Sequence, residues 1–532
     1  MAIKLVQNIA GSTSRSNIAK VGIGYSLNMY SETQDISEHS CQLLMRPIQG
    51  TVDTEINNLA GECRGLYRVS RGYNNKPTLY GVFGNKLYWI TDKHYAYEIG
   101  NIDSVGTKCN MCETGGYGSA NPHLIIVDGT HCYALNTSLP FDDQRIMFAN
   151  HGSIELPKRV NNLSKRIEPT HCAYLYGYLI INDKDSDAFY TSYQYPFEAY
   201  PETDSHYYDV FRVSAFTDKT KDIGFITYSE WQPDNTVALC SNGSKLYTFG
   251  TRSWQVFSFN DDVNNPFSSP DNAAGNVGIK APNSLAMLGP TTIWLGSSDI
   301  GENGIFMIKD TTLTRISTQN IEREISNINN PENAYAQIWQ EHQHTFYAIT
   351  FEDSKITYVY DVTENSWHNR TSYDEGNRQT YWRYNNACFA YNKIYVGTKD
   401  GKLCYMDENK YTEHDNRPIL KLRRGGVITS ENCPFYIDAV ELIVNNGQHS
   451  FNNQYDNYEL NPRVSIRYSW DGSTWSDYED NYLGMIGEYD YSTTYWHLGL
   501  GKYFTLEIST TEPIPFCIEN LKINYSPCSN FI

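Results

Sequence analysis

Val237-Ala-Leu-Cys-Ser-Asn-Gly-Ser-Lys-Leu-Tyr-Thr-Phe-Gly-Thr-Arg-Ser-Trp-Gln-Val-Phe-Ser-Phe-Asn260 is the stretch from which the fold can be read. Two apolar runs flank Asn242-Gly243, and a third run, Trp254 to Phe259, follows a bend at Gly250-Thr251. Asn-Gly between alternating apolar residues marks a tight hairpin, because both turn positions need positive φ. The stretch therefore predicts a strand–turn–strand–turn–strand meander.

Looser copies lie on both sides. Each is a short apolar run, a turn, and a run often containing Leu-Tyr or Ile-Tyr. The turns fall near residues 84, 128, 177, 242, 289, 342 and 391, at intervals of 44, 49, 65, 47, 53 and 49. That spacing matches the roughly 40–50 residues of a propeller blade. Such a unit cannot bury both faces of its sheet alone, and radial packing solves this while leaving only short edges. A tandem array of β-sandwiches is the alternative, but a complete sandwich needs about 100 residues.

The repeat stops near Asn409 to Pro418. Beyond it the apolar alternation lengthens, as in Tyr436 to Val444, Arg463 to Trp470, Phe504 to Ile508 and Cys517 to Tyr525, and Asp471-Gly472 reads as a hairpin turn leading to Trp475. The expected fold is thus all-β: an irregular β-propeller of six or seven blades over 61–412, preceded by an N-terminal arm, 1–60, and followed by a C-terminal β-sandwich, 413–532. One short helix is expected within Thr318 to Asn329, where Ile321 and Ile325 lie four apart. Polar stretches at 137–170 and 195–235 exceed ordinary blade turns and are expected to carry contacts.

Composition narrows the function. The chain has 532 residues, a net charge of −19 and 14% aromatic residues, 43 of them Tyr. So acidic a chain argues against general nucleic-acid binding, which wants a basic face. It is compatible with DNA sliding past a wall that repels phosphate. Twelve cysteines show one close pair, Cys109 and Cys112, and no second pair to complete a zinc site. They read as reduced, buried thiols of a protein made in the cytosol. The first residues lack a signal-peptide core, and no apolar run is long enough for a membrane helix.

No catalytic set emerges. Ser469 to Trp475 is similar to the Asp box of sialidase-type propellers but is one residue short and occurs once; a turn explains it. Tyr360-Asp361 to Trp367 is similar to one kelch strand pair and reads as blade packing. Asp183, Asp185 and Asp187, like Asp261 and Asp262, read as solvated loop carboxylates without the Gly and distal Glu of a calcium loop. His131 and His171 read as ordinary strand residues. Lys421-Leu-Arg-Arg424 is the one compact basic cluster and reads as a solvated patch, or alternatively as a phosphate or acidic-partner contact. Arg252 and Trp254 read as blade-packing and subunit-contact residues. No catalytic, cofactor or metal residue is assigned, and no cofactor is expected.

The landmarks together resemble a family. Leu246 to Phe259, with Gln255 where that family often carries Glu, resembles a strand of the tail hub, or packaged-DNA stabilisation, proteins of short-tailed phages, among them the muzzle proteins of crAss-like phages. Leu27-Asn-Met-Tyr-Ser-Glu32 resembles their early Asn-x-Tyr-x-Glu segment. Arg46 to Gly50 resembles their Pro-Gly turn with the glycine displaced. Val359 to Asp361, Trp367 and the Ser469 to Gly472 turn occupy matching late positions. The resemblance implies a structural, non-enzymatic virion protein of the tail, made in the host cytoplasm. It implies a ring, typically a hexamer, below the portal and head–tail adaptor. That ring closes the channel, retains the genome and carries fibres, spikes or a plug, while DNA passes without specific binding and no membrane is involved. The alternatives are a glycan-binding or glycan-cleaving propeller and a generic propeller scaffold.

Overall fold

The structure is a computed structural model describing residues 3–15, 23–37, 40–103, 108–115, 121–145, 152–159, 162–211, 225–262, 265–270, 273–298, 303–430, 433–447 and 461–528. It is 54% strand and 6% helix, an all-β protein with β-propeller architecture.

Seven small antiparallel sheets follow one another along the chain. Sheet 1 comprises Cys63–Val69, Thr78–Phe83, Lys86–Ile90 and Ala96–Asn101 in simple succession. Sheet 2 has three strands, Asn110–Glu113, His123–Val127 and Cys132–Asn136. Sheet 3 runs from Cys172–Leu175 to Phe225–Tyr228, sheet 4 from Thr236–Asn242 to Ala274–Gly275, and sheet 5 from Val277–Ile279 to Thr312–Arg315. Sheet 6 is Tyr335–Glu341, His344–Phe351, Ile356–Asp361 and Ser366–Asn369, and sheet 7 begins with Tyr384–Ala390, Lys393–Thr398 and Leu403–Asp407. First strands of neighbouring sheets lie side by side from sheet 1 to sheet 4. Val277–Ile279 of sheet 5 meets the second and third strands of sheet 4, Ala286–Leu288 meets Tyr335–Glu341 of sheet 6, and Tyr384–Ala390 of sheet 7 packs on both Tyr335–Glu341 and Cys63–Val69 of sheet 1.

The turns that reveal the repeat are real hairpin turns with positive φ. Gly84, Gly129, Gly177, Gly243 and Gly289 occupy five of them, and His342-Gln343 and Tyr391-Asn392 hold the other two without glycine. They do not mark the same hairpin throughout. In sheets 1, 2 and 5 the marked turn joins the second and third strands in chain order; in sheets 3, 4, 6 and 7 it joins the first two. The repeat therefore shifts phase after sheet 2 and again at sheet 5, which turn spacing alone conceals. In sheet 4, Asn242 pairs with Lys245 across Gly243, and Phe249 then pairs with Trp254. Val256, Phe249 and Trp254 enter a core shared with Trp294 and Ile308 of sheet 5.

The ring is closed by a strand from far away. Gly50–Asp53 pairs with Leu403–Asp407 as the fourth strand of sheet 7, with Asp407 opposite Gly50 and Cys404 opposite Asp53. Gly50 N–H also donates to the Lys410 carbonyl at 2.5 Å and Thr51 N–H to that of Thr412 at 3.0 Å. A Cβ at Gly50 would collide with both carbonyl oxygens, so close backbone approach requires glycine there.

Residues 1–60, grouped from sequence as one arm, are distributed over three places. Ile23–Leu27 lies between Ser366–Asn369 of sheet 6, which it meets in parallel at Leu27 and Asn369, and Lys421–Arg424. Sheet 6 thereby runs without a break into Lys421–Arg424, Tyr503–Thr510, Arg463–Ser469 and Glu479–Tyr482. Ile3–Gln7, Met29–Ser37 and Ser40–Pro47 join a second sheet with Ile518–Pro527, Phe435–Val444 and Thr493–Gly501. The two sheets share one core, in which Met29 and Met45 meet Ile437, Val440, Ile466, Leu506 and Ile508. Early and late parts of the chain thus build this layer together.

Parts of the long polar stretches are packed down. Tyr207, Val210 and Phe211 are buried with Ile154 and Ile167 against sheets 2 and 3. Parts of both stretches, 146–151 and 212–224, lie outside the described residues. The expected helix is Gln319–Ser326, capped by Thr318 and burying Ile321 and Ile325.

Candidate functional surfaces

Where the first strands of sheets 1, 6 and 7 begin, a cavity of about 370 Å³ opens. Its walls come from Glu62, Lys108, Asn283, Glu352, Asn385 and Lys399, with Tyr335 and Phe351 as its aromatic residues. Lys399 Nζ lies 2.5 Å from Glu352 and 4.0 Å from Glu62, tying sheet 7 to sheets 6 and 1. Lys108 Nζ donates to the Ala336 carbonyl at 2.7 Å. Burial brings its ammonium down to about 8. Asn385 and Asn386 both donate to the Cys63 carbonyl at 2.9 Å. Lys108, Lys399, Glu62 and Glu352 are thus engaged across neighbouring sheets, and the cavity reads as a polar seam between them.

The carboxylates considered from sequence divide sharply. Asp183 is fully buried and held by Arg159, whose Nη2 is 2.8 Å from one oxygen and Nε 2.8 Å from the other; Asp185 takes the same guanidinium at 2.9 Å. Asp183 is therefore a structural ion-pair partner, contrary to its reading as a solvated loop group. Asp261 and Asp262 are exposed. His131 precedes its strand in a turn. His171 is buried, its Nδ1 3.1 Å from Thr170 Oγ1, and burial followed by the nearby Lys108 charge lowers it to about 4. Among the described residues no group of three His, Cys, Asp or Glu side chains is placed to hold a metal. No helix there is long and apolar enough to cross a membrane.

Asp471 accepts the N–H groups of Ser473 and Thr474, each at 2.7 Å. These backbone bonds hold its carboxyl down to about 2. The result is a wide Asp-centred loop, since Arg463–Ser469 pairs with Glu479–Tyr482. The expected hairpin at Asp471-Gly472 is corrected accordingly: the carboxylate ties up the amides that a tight ladder would use. Tyr360 pairs with Trp367 across sheet 6, and Trp367 Nε1 donates to the Ile316 carbonyl at 2.9 Å. Trp254 is buried, Gln255 accepts from Ser229 Oγ at 3.0 Å, and Arg252 is exposed.

The basic cluster is the largest departure from the sequence reading. Lys421 and Arg423 are buried, and Arg424 is bound to a buried acid. Lys421 donates to the Glu512 carbonyl and Arg423 to that of Ile9, both at 2.6 Å. Burial lowers Lys421 to about 7 and Arg423 to about 10. Arg424 and Arg467 converge on the fully buried Glu507, at Nε–O distances of 2.8 and 2.6 Å, with Trp475 stacked on both guanidiniums. Burial alone would raise Glu507, but the two arginines outweigh it and hold the carboxyl below its ordinary range. Alternation puts Lys421 and Arg423 on one face of the strand and Arg424 on the other, and on each face a protein group, not phosphate, binds the cation.

A second buried cation was invisible in sequence. Arg370 is almost wholly buried among Trp339, Phe346 and Trp382, 4.9–5.1 Å from each ring, with Glu341 at 3.9 Å. Nothing in the spacing around Arg370 distinguishes it from a surface arginine; the aromatic cage comes from two strands of sheet 6 and the loop that holds Trp382.

The family model described as bacteriophage P22 Gp10, beta-propeller, matches residues 9–411. No curated relative matches. Among solved structures, the extracellular domain of the putative hybrid two-component system BT4673 from B. thetaiotaomicron is similar at 10% identity and TM-score 0.39, covering 73% of this chain and 41% of that one. The computationally designed Ika8 protein is similar at 9% identity and TM-score 0.34, over 75% and 99% of the two chains. BBS1N in complex with ARL6DN gives 10% identity and TM-score 0.38, over 68% and 96%. The alignment thus spans less than half of the first of these proteins, and the function rests on the family match. With the matched segment reaching from the N-terminal strands to the end of sheet 7, the chain belongs to the phage stabilisation family described as bacteriophage P22 Gp10, β-propeller.

Proposed function

We propose that this chain is the ring-forming hub subunit of a phage tail, standing below the portal and adaptor, closing the channel on packaged DNA and anchoring fibres or spikes. The observation that carries the reading is the family match over 9–411. Two features support it. A β-propeller whose sheet 6 runs continuously into the C-terminal strands makes a stiff body, as a pressurised seal needs. The net charge of −19 suits a wall past which DNA slides, because clustered Lys and Arg would bind phosphate strongly. The compact basic cluster is spent inside the fold, in keeping with that role.

The test is genetic and structural. Virions assembled without this chain are expected to fill with DNA and then lose it, leaving empty heads without fibres. Density for the chain is expected as a ring at the tail. Particles that lack the chain yet retain genome and infectivity would overturn the proposal.

A further inference from the structure

The second sheet of the C-terminal layer ends in two open edges of matching character. Four of its strands stand in the order Ile3–Gln7, Ile518–Pro527, Phe435–Val444 and Thr493–Gly501, each antiparallel to its neighbour. Among the described residues no strand pairs with the far edge of Ile3–Gln7 or of Thr493–Gly501. Natural edge strands are blunted by proline, charge or a β-bulge. Neither strand contains proline or an inward charge, and Ile3–Gln7 carries one outward Lys4. The pairing of Thr493–Gly501 with Phe435–Val444 shifts register between Trp496 and Gly499, which leaves Thr493 to Trp496 as the regular part of that edge.

Both edges are apolar. Val6 is 64% exposed and Ile3 42%, while at the opposite edge Trp496 is 63% and Leu500 49% exposed. The loop leading into Thr493–Gly501 adds exposed Met485, Ile486 and Tyr489. A patch of this kind on a folded surface marks an interaction site. The second edge is partly occupied, since Asn481 Nδ2 donates to the Thr494 carbonyl and Trp470 Nε1 to that of Leu498. The Trp496 rung lies between these two.

Strand direction decides the partner. With four strands alternating, the first and last run in opposite senses. A second copy continuing the sheet therefore brings its Ile3–Gln7 antiparallel to Thr493–Gly501 of the first, the same pairing used throughout the sheet. The faces agree as well. Lys4 and Val6 pair with Asn524 and Lys522, which in turn pair with Ala439 and Glu441; Ala439 also faces Trp496. Lys4, Val6 and Trp496 thus lie on one face. Charges complement: Lys4 is exposed at one edge, and Asp480, Glu488 and Asp490 are exposed near the other.

We propose that Thr493–Gly501, with Trp496 as its anchor, docks the Ile3–Gln7 strand of a second copy of this chain, head to tail. Such a heterologous contact closes into a ring or extends into a filament. The inference rests on the hub reading and assigns that ring its contact.

The test mixes two variants. Mass photometry of the full chain is expected to show assemblies larger than a dimer. Trp496→Asp and Val6→Asp each lose one edge and are expected to be monomeric, shifting apparent Kd at least about 100-fold, as loss of an interface anchor does. Their equimolar mixture is expected to give dimers and nothing larger, because one good edge of each survives. Tyr95→Asp, at an exposed propeller residue, is expected to assemble like the parent, and circular dichroism checks that all variants are folded. Assembly undisturbed in either edge variant overturns the contact and leaves the hub reading standing. A mixture that stays monomeric overturns the head-to-tail geometry. A parent chain monomeric at its highest soluble concentration overturns both.

Discussion

The seven-sheet ring and the C-terminal layer are built on opposite plans. In the ring nearly every sheet is one continuous segment, so its pairings are local hairpins. In the layer, Ile3–Gln7 pairs with residues more than 500 positions away, and Ile23–Leu27 sits between Ser366–Asn369 and Lys421–Arg424. Both bury charge, but to different ends. In the ring Asp183 is held by the nearby Arg159 within one part of the circuit. In the layer Arg423 binds the Ile9 carbonyl across 414 positions, and Arg424 and Arg467 share the buried Glu507. Such buried contacts favour the one arrangement that satisfies them, at a cost in desolvation.

The contrast can be broken most directly at Glu507. Glu507→Ala leaves Arg424 and Arg467 converging on nothing, and a destabilisation of about 3–5 kcal/mol is expected. Hydrogen exchange is expected to speed first in Tyr503–Thr510 and Arg463–Ser469, with sheets 1 to 5 still protected. Uniform loss of protection would show that ring and layer fold as one unit.

Gly50→Val tests the single long-range pairing that the ring requires. The new side chain collides with the Lys410 and Thr412 carbonyls, and a cost of about 1–3 kcal/mol is expected from forced overpacking. Exchange is expected to rise in Leu403–Asp407 and Cys63–Val69, the two sides of the closure. Unchanged protection there would mean the ring closes without its N-terminal strand.

Lys421 gives a pH signature. Its folded-state value, about 7, lies below that of an unfolded lysine. The unfolded chain therefore holds the extra proton between those values, and stability rises with pH from about 7 toward 10. Below pH 7 the penalty of a buried ammonium is constant. Lys421→Met is expected to remove this slope, and to leave stability at neutral pH unchanged or higher. Denaturant titrations of both proteins across that range check it; parallel curves would place the ammonium in water.

Asp471 is expected to show the smallest effect. Its value is depressed to about 2, so the support it gives its loop is complete above the ordinary carboxylate range and is lost as pH falls toward 2. Asp471→Asn is expected to flatten that acid limb with little change at neutral pH. Carboxyl chemical shifts followed through an acid titration measure it directly.

Much of the ring was legible because its signals are local. Gly243 takes the positive φ that the turn needs, although Asn242 pairs with Lys245 and does not share it; alternation flanks the turn, and the period places the next one. The Ile321–Ile325 spacing located the helix for the same reason. The phase shifts after sheet 2 and at sheet 5 were hidden, since a turn looks alike whichever hairpin it closes. At the candidate surfaces, residue type misled. Asp183 and Lys421 to Arg424 look like solvent-facing charges, and only their distant partners, Arg159 and Glu507, show otherwise.

The sequence by itself determined an all-β chain, a repeat of blade length, the change of pattern near 409–418 and the likeness to phage tail proteins. Each of these is carried by neighbours in the chain, where φ preference and side-chain alternation act. Tertiary structure alone decided that Gly50–Asp53 closes the ring, that Ile23–Leu27 joins ring to layer, that the basic cluster is buried, and that two apolar edges stay unpaired among the described residues. Those outcomes depend on which distant backbone groups and charges can satisfy one another, and no local spacing encodes that.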